Sequence, residues 1–252
     1  MIYLSQLIPD KELKLLINEY HTGLELIDFS VGTNLDEMTV ILEMWERKLE
    51  MFGAPPITIH GPFLDLNPVS FDSLAAQAAQ ERFAQAYEAA RQLHAQKIIY
   101  HTCRIPLVCY VEGWAERMAD FWNSFLEKHW EVPVAIENVF DEAPEPIADF
   151  ASRIQAANFS LCLDFGHINY ASGTPADQWL DVLGPWAGHL HLHDNHGKSD
   201  DHLALGKGNI NWKKVLEQIN SMSLSNSITI ENSTPEDFRT SLEYCREHKL
   251  SW

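Results

Sequence analysis

The chain has 252 residues, of which 46% are hydrophobic and 21% charged, a composition that excludes a disordered or low-complexity protein. Thirty-six Asp and Glu residues against 18 Lys and Arg give a formal net charge of −18. Because binding to nucleic-acid phosphates needs a concentrated basic surface, this charge argues against nucleic acid as a partner.

Apolar runs rich in β-branched residues recur along the whole chain, and eight of them are short enough to be strands. The first two are the least regular, since Glu25 and Asp28 interrupt the second. The predicted strands are Ile2–Ile8, Leu24–Phe29, Ile57–Phe63, Lys97–Cys103, Pro133–Phe140, Phe159–His167, His189–Asn195 and Ser227–Ser233.

Helix-like stretches separate most of these strands, and such alternation predicts an α/β fold with a parallel sheet. We expect a single (β/α)8 TIM barrel over residues 1–252, a usual length for that fold. An open doubly wound sheet is the alternative, but it would gather ligands at one switch point only. The clearest predicted helices are Lys11–Tyr20, Leu35–Met51, Ser70–Ala95, Glu112–Trp130 and Pro235–His248.

The start of the chain, Met1–Asp10, lacks a basic segment followed by a long apolar stretch. No segment approaches the length needed to cross a bilayer. The four cysteines, Cys103, Cys109, Cys162 and Cys245, show no CxxC spacing. We therefore expect a cytoplasmic protein without a disulfide framework or a membrane partner.

Nine side chains that can bind metal lie at or just past the ends of predicted strands. In a barrel the carboxyl ends of all strands ring one face, so these side chains are expected to converge there. One such residue alone is more often a solvated or hydrogen-bonded group; nine together predict a metal site. They are His60, His101, Glu137, Asp164, His167, His191, Asp200, His202 and Glu231.

Alternation along the strands predicts which neighbours share the inward face. The residue before each strand-borne candidate is large and apolar, and it is expected to face a covering helix. One layer deeper, on the face of the candidates, we expect Thr58, Ile99, Ala135, Cys162, His189 and Thr229.

The mixture of imidazole and carboxylate groups suits Zn, Mn, Fe or Co, and the lack of cysteine ligands argues against a closed structural zinc site. We expect an open, reactive site holding one to three divalent ions. A carboxylate can bridge two cations, and Glu137, near the centre of the set, is the candidate for that role.

Several motifs around these residues resemble the xylose-isomerase-like barrel superfamily. The resemblance runs from strand 3 to the end of the chain. That superfamily contains sugar and sugar-phosphate isomerases and epimerases, inosose dehydratase relatives and the DNA-repair enzyme endonuclease IV. The motifs are HGPF from His60, HTC from His101, IEN from Ile136, LDFGH from Leu163, HLHDN from His191, DDHLALGKGNI from Asp200 and IENSTP from Ile230.

The resemblance implies two possible ligand sets. In the isomerase branch one divalent metal is held by residues that match Glu137, Asp164, His191 and Glu231. In the endonuclease branch three zinc ions are held, and all nine positions have a match. The first ion would then take His60, His101 and Glu137; the second Glu137, Asp164, His191 and Glu231; the third His167, Asp200 and His202.

Departures from the endonuclease pattern favour the isomerase branch. Phe63 stands where that family has a tyrosine, Lys207 replaces a glutamate, and the loops at 9–11 and 30–34 lack arginine. The function expected is a divalent-metal-dependent isomerase or epimerase that acts on a sugar or sugar phosphate through a metal-stabilised enediolate. The alternative is a trinuclear-zinc phosphodiester hydrolase of the endonuclease IV (AP endonuclease) type.

Catalytic roles follow from the isomerase reading. Glu137 and Glu231 would remove and return a proton, and His167 would bind a sugar hydroxyl or a proton. The other candidates each have surface charge or helix packing as the alternative. Arg104, Lys198 and Lys207 are candidates for a phosphate, Phe63 and Trp114 for the pocket wall, His189 for a buried group behind the ligands, and His193 for a loop group near substrate.

Overall fold

Eight parallel strands form a closed barrel in chain order in the computed structural model, which describes residues 1–222 and 227–250. The first strand pairs with the last, which closes the cylinder. The predicted barrel is thus confirmed and the open sheet is wrong. The strands are β1 Ile2–Ser5, β2 Gly23–Leu26, β3 Ile57–His60, β4 Ile98–His101, β5 Val134–Glu137, β6 Phe159–Asp164, β7 Ala187–Leu192 and β8 Ser227–Ile230.

Helices surround the barrel, and none in the described ranges is long and apolar enough to span a membrane. Short 3-10 turns at Asp28–Ser30 and Gly184–Trp186 add to the connections. The α-helices are α1 Asp10–Tyr20, α2 Gly32–Asp36, α3 Met38–Phe52, α4 Ser73–Gln92, α5 Trp114–Lys128, α6 Glu145–Ser152, α7 Phe165–Ala171, α8 Ala176–Leu183, α9 Trp212–Ser221 and α10 Pro235–Glu247.

Every predicted strand ends two or three residues earlier in the structure, and two predicted elements differ further. The stretch Leu35–Met51, predicted as one helix, is split at Glu37 between α2 and α3. The run Phe159–His167, predicted as a strand, turns helical after Asp164, whose side chain accepts a 2.6 Å hydrogen bond from the His167 backbone N–H. This N-cap starts α7, because a carboxylate there satisfies an N–H that has no partner in the helix.

Alternation along the strands separates two buried layers. Outward-facing residues such as Ile59, Tyr100 and Ile136 join the large core between the barrel and the helices. Inward-facing Ile99, Ala135 and Cys162 form a separate small cluster inside the cylinder. The predicted inner layer is confirmed, and its polar members Thr58, His189 and Thr229 are also fully buried.

Strand register aligns several of the candidate ligands directly. His101 on β4 is paired with Glu137 on β5, and Asp164 on β6 is paired with His191 on β7. Neighbouring strands lie about 4.8 Å apart, so paired side chains on the same face come into contact. The barrel thus brings residues that are far apart in sequence to one end of the cylinder.

Candidate metal centre

Three of the nine candidates end consecutive strands: His60 ends β3, His101 ends β4 and Glu137 ends β5. The Nε2 atoms of the two histidines are 3.3 Å apart, and they lie 3.3 and 3.5 Å from Glu137 Oε2. Two ligands bonded to one tetrahedral zinc at about 2.0–2.1 Å are separated by roughly 3.3 Å. The spacing therefore fits a shared cation.

A second group surrounds His191, which lies fully buried on β7. Its Nδ1 atom is 3.3 Å from Glu137 Oε1, 3.3 Å from Glu231 Oε1 and 3.8 Å from Asp164 Oδ2. Glu137 therefore touches both groups, one carboxylate oxygen in each. This is the arrangement expected of a carboxylate that bridges two cations.

The third group comes from loops and from α7 rather than from strand ends. Asp200 Oδ2 lies 3.4 Å from His167 Nε2 and 3.1 Å from His202 Nε2. His202 has a φ of +50°, in the left-handed region that is uncommon for residues other than glycine. The structure thus gathers all nine candidates at the carboxyl end of the barrel.

Buried polar atoms without partners mark the centre of this cluster. Glu137 Oε2, Asp164 Oδ2 and His191 Nδ1 make no hydrogen bond with any residue in the described part of the chain. Leaving such atoms unsatisfied costs free energy, so buried polar groups usually have a partner. A divalent cation would satisfy several of them at once, and the donor set is one that zinc, manganese, iron and cobalt accept.

Charge in the cluster keeps the carboxylates ionised. Burial alone would raise the pKa of Glu137, but the charge of His191 and a hydrogen bond from His167 hold it well below its ordinary value. Burial lowers the pKa of His101 to about 3, so this ring is neutral and has a lone pair to offer. Burial disfavours a charge on His167 and His191, but nearby acidic groups raise the pKa of both rings well above its ordinary value. Because neutral imidazoles are the forms that bind metal, each of these rings would release a proton when a cation binds.

Glu25 on β2 is a buried acidic residue next to the candidate metal centre, and it is not among the candidates predicted from the sequence. It is fully buried, and its Oε1 lies 3.2 Å from Nε2 of His191, on the ring edge opposite the candidate metal. Its Oε2 accepts hydrogen bonds from Thr58 (2.8 Å) and Thr229 (2.7 Å) and lies 3.4 Å from His189 Nε2. Although burial favours its neutral form, His191 and His189 lower the pKa of Glu25 well below its ordinary value.

His193 lies in the loop after β7, as predicted, but it does not line the cavity. The residue is fully buried within the cluster, with Nε2 3.2 Å from Asp164 Oδ1 and 3.5 Å from Asp200 Oδ1, and its ring stacks on His202 at 4.1 Å. The space next to it requires glycine at position 166, where a Cβ atom would meet the His193 ring at 1.9 Å. His189, predicted as a buried group behind the ligands, is fully buried and contacts Ser227, Thr229 and Glu25.

A cavity of about 730 Å³ opens directly above the cluster. Phe63 lines it and stacks on His101 with a 4.4 Å centroid separation, as expected for a wall residue. Arg104 also lines it, whereas Lys198 and Lys207 are exposed elsewhere. Trp114 is buried in helix packing against Phe150, not in the cavity wall.

Comparison with known proteins identifies the family. The sequence profile of the xylose isomerase-like TIM barrel matches residues 22–248. The chain belongs to this family. It is also 30% identical over 209 residues to uncharacterized protein MJ1311 of Methanocaldococcus jannaschii, an alignment that spans 76% of this chain and 69% of that protein.

Solved structures of sugar epimerases share the fold. A D-tagatose 3-epimerase-like protein superposes with a TM-score of 0.79 at 25% identity, covering 98% of this chain and 96% of that one. A D-psicose 3-epimerase, crystallised in the presence of D-fructose, gives a TM-score of 0.77 at 14% identity, with 98% of each chain covered. The chain therefore lies in a superfamily that includes sugar isomerases and epimerases.

Proposed function

We propose that the protein is a divalent-metal-dependent isomerase or epimerase that moves a proton on a carbon next to a sugar carbonyl. The observation that carries this proposal is the position of Glu137 and Glu231. Both line the cavity, and each has a carboxylate oxygen 3.3 Å from His191 Nδ1. Two carboxylates that share one centre suit the removal and return of a proton. Membership of a superfamily with sugar epimerases supports the same reaction class.

Metal binding is assigned to the three groups described above. Glu137, Asp164, His191 and Glu231 would hold the ion required for catalysis. His60 and His101, with Glu137, and His167, Asp200 and His202 would hold further ions. A bound divalent cation would supply Lewis-acid stabilisation of negative charge on the sugar oxygens.

We assign proton transfer to Glu137 and Glu231. They approach from β5 and β8, three strands apart around the barrel, so they can face a sugar from different sides. We assign proton removal to Glu231, which retains 6% exposure towards the cavity, and proton return to Glu137. His167 lines the same cavity and would orient a hydroxyl of the sugar.

Proton exchange in heavy water tests this proposal. Free ketohexoses, incubated with metal-loaded protein in D2O, should incorporate deuterium next to the carbonyl, as followed by NMR. Chelated protein and the Glu231→Gln variant should leave the sugar unlabelled. If no ketose, aldose or keto-glycoside in a broad panel, phosphorylated sugars included, incorporates deuterium, the proposed reaction class is wrong.

A second candidate is phosphodiester hydrolysis at a trinuclear zinc site. It is favoured by the compact group of His60, His101 and Glu137, which a one-metal isomerase does not need. Against it stands the net charge of −18, because a DNA-cleaving enzyme must hold a polyanion. Cleavage of a duplex oligonucleotide with one abasic site, together with three zinc equivalents per chain, would favour this candidate.

A further inference from the structure

The cavity above the metal centre has two chemically different halves. Metal-centre residues from the β6, β7 and β8 side, including His167, Asp200, His202 and Glu231, line one half. The loops after β3 and β4 also supply Asp65, Asn67, Ser70 and Arg104, and the loops after β1 to β5 line the other half mainly with apolar side chains: Leu7, Ile27, Leu64, Ile105, Val108 and Phe140. Each of these five successive loops contributes at least one of them.

Several of these apolar side chains are exposed to solvent. Leu64 is 63% and Val108 79% exposed, and Leu7, Ile105 and Phe140 are each at least 40% exposed. Exposed apolar side chains that line a cavity often mark a binding groove, because a ligand removes them from water. The sugar hydroxyls that would bind the polar half form no hydrogen bonds with these apolar side chains.

Charge around the cavity disfavours a phosphate. Among the residues that the structure describes, Arg104 is the only Lys or Arg in the cavity wall. Its guanidinium lies 3.7 Å from Asp141, so that its charge is already opposed by a carboxylate. Asp65, a carboxylate in the same wall that is not a candidate metal ligand, would repel an anion.

We propose that the natural substrate is an uncharged sugar derivative that carries an apolar substituent, such as the aglycone of a keto-glycoside. The sugar lies on the polar half of the cavity, and the substituent packs against Leu7, Ile27, Leu64, Ile105 and Val108. The volume of about 730 Å³ falls within the roughly 300–1,000 Å³ of pockets that enclose drug-sized ligands. This inference rests on the proposed function and assigns a substrate class to the same site.

Calorimetric titration with two glycosides tests the apolar half without any need for turnover. We expect 4-nitrophenyl β-D-glucopyranoside to bind metal-loaded protein about tenfold more tightly than methyl β-D-glucopyranoside, since only the first has a large apolar group to bury. Glucose 6-phosphate should bind no better than glucose. Equal affinity for the two glycosides, or tighter binding of the phosphate, would overturn the proposal.

Adjacent residues of the β4–α5 loop provide a matched pair of variants. Val108 lines the cavity, whereas Leu107 is 99% exposed and is not part of its wall. Val108→Ser should weaken binding of the nitrophenyl glycoside about threefold or more and leave the methyl glycoside unchanged. Leu107→Ser should alter neither. Equal losses in both variants would contradict the assignment of the substituent to this wall.

Two further outcomes separate this inference from the proposed function. If free ketoses exchange their protons but the two glycosides bind equally, the reaction class survives and the apolar subsite is wrong. If the nitrophenyl glycoside is preferred but no sugar exchanges a proton, the subsite survives and the reaction class is wrong. If Val108→Ser changes the sedimentation mass and not glycoside affinity, the apolar face binds a second copy of the chain and the proposal fails.

Discussion

Replacing Glu25 by Gln is expected to weaken metal binding, although Glu25 is not one of the nine predicted ligands. The substitution keeps the shape of the side chain and an oxygen that can accept from Thr58 and Thr229, but it removes the negative charge 3.2 Å from His191 Nε2. That charge holds the imidazole with Nδ1 towards Glu137 and Glu231 and makes it a stronger ligand.

The expected magnitude follows from the position of the carboxylate. Losing the partner of a metal-bound histidine typically costs 10- to 100-fold in metal affinity, or about 1.4–2.8 kcal/mol. Glu25 is fully buried, so solvent does not screen its contact with His191, and we expect a loss in the upper part of that range. Competition for zinc with a chromophoric chelator at pH 7 measures it directly.

Thr58→Val is the matched control for this experiment. It removes one hydrogen bond to Glu25 Oε2 but leaves the contact between Glu25 and His191, so zinc affinity should fall less than threefold. Thermal unfolding of both variants in chelator separates a folding defect from a metal-binding defect. The reasoning would be refuted if Glu25→Gln bound zinc within threefold of the wild type, or if Thr58→Val lost as much affinity.

Three other substitutions have expected outcomes. Glu231→Gln should reduce proton exchange from the sugar at least about 100-fold, the usual contribution of a positioned acid–base group, while circular dichroism stays unchanged. The free energy of unfolding of Asp141→Asn should exceed that of the wild type by an amount that grows as pH rises from 4 to 7. Burial raises the pKa of Asp141 to about 6, so its stabilising contribution, complete below the unfolded pKa of about 3.9, is lost as pH rises through 6. Urea titrations at pH 4 and 7 should show a gain of about 2–3 kcal/mol at pH 7 only, and an equal gain at both would contradict this cause. Gly166→Ala should displace His193 and lower the number of zinc ions bound, and unchanged zinc content would show that His193 does not support the site.

The barrel and the convergence of the nine residues could be predicted because both depend on local alternation. A ligand such as His60 follows a large outward residue, Ile59, and this pattern fixes the face of the strand without knowledge of the rest of the chain. Closure of the sheet then determines that all strand ends meet. The ends of the strands themselves were less predictable, since the apolar run at 159–167 continues through a helix start.

Glu25 could not be recognised because its partners are remote in sequence. A single carboxylate in a short apolar run is usually solvent-facing, and His189 and His191, which stabilise it, lie on a strand across the barrel. The position of His193 did have a signal in the sequence. It continues the alternation of His189 and His191 with Leu190 and Leu192, which places it on the inward face.

The number of metal ions bound by purified protein, measured by elemental analysis, tests the central claim most directly. We expect at least one equivalent of zinc, manganese, cobalt or iron per chain, retained after gel filtration and reduced in a variant with both Asp164→Asn and His191→Ala. Protein that carries no such metal after incubation with each of these ions, or that keeps its full content in the double variant, would contradict the assignment of the cluster as a metal centre.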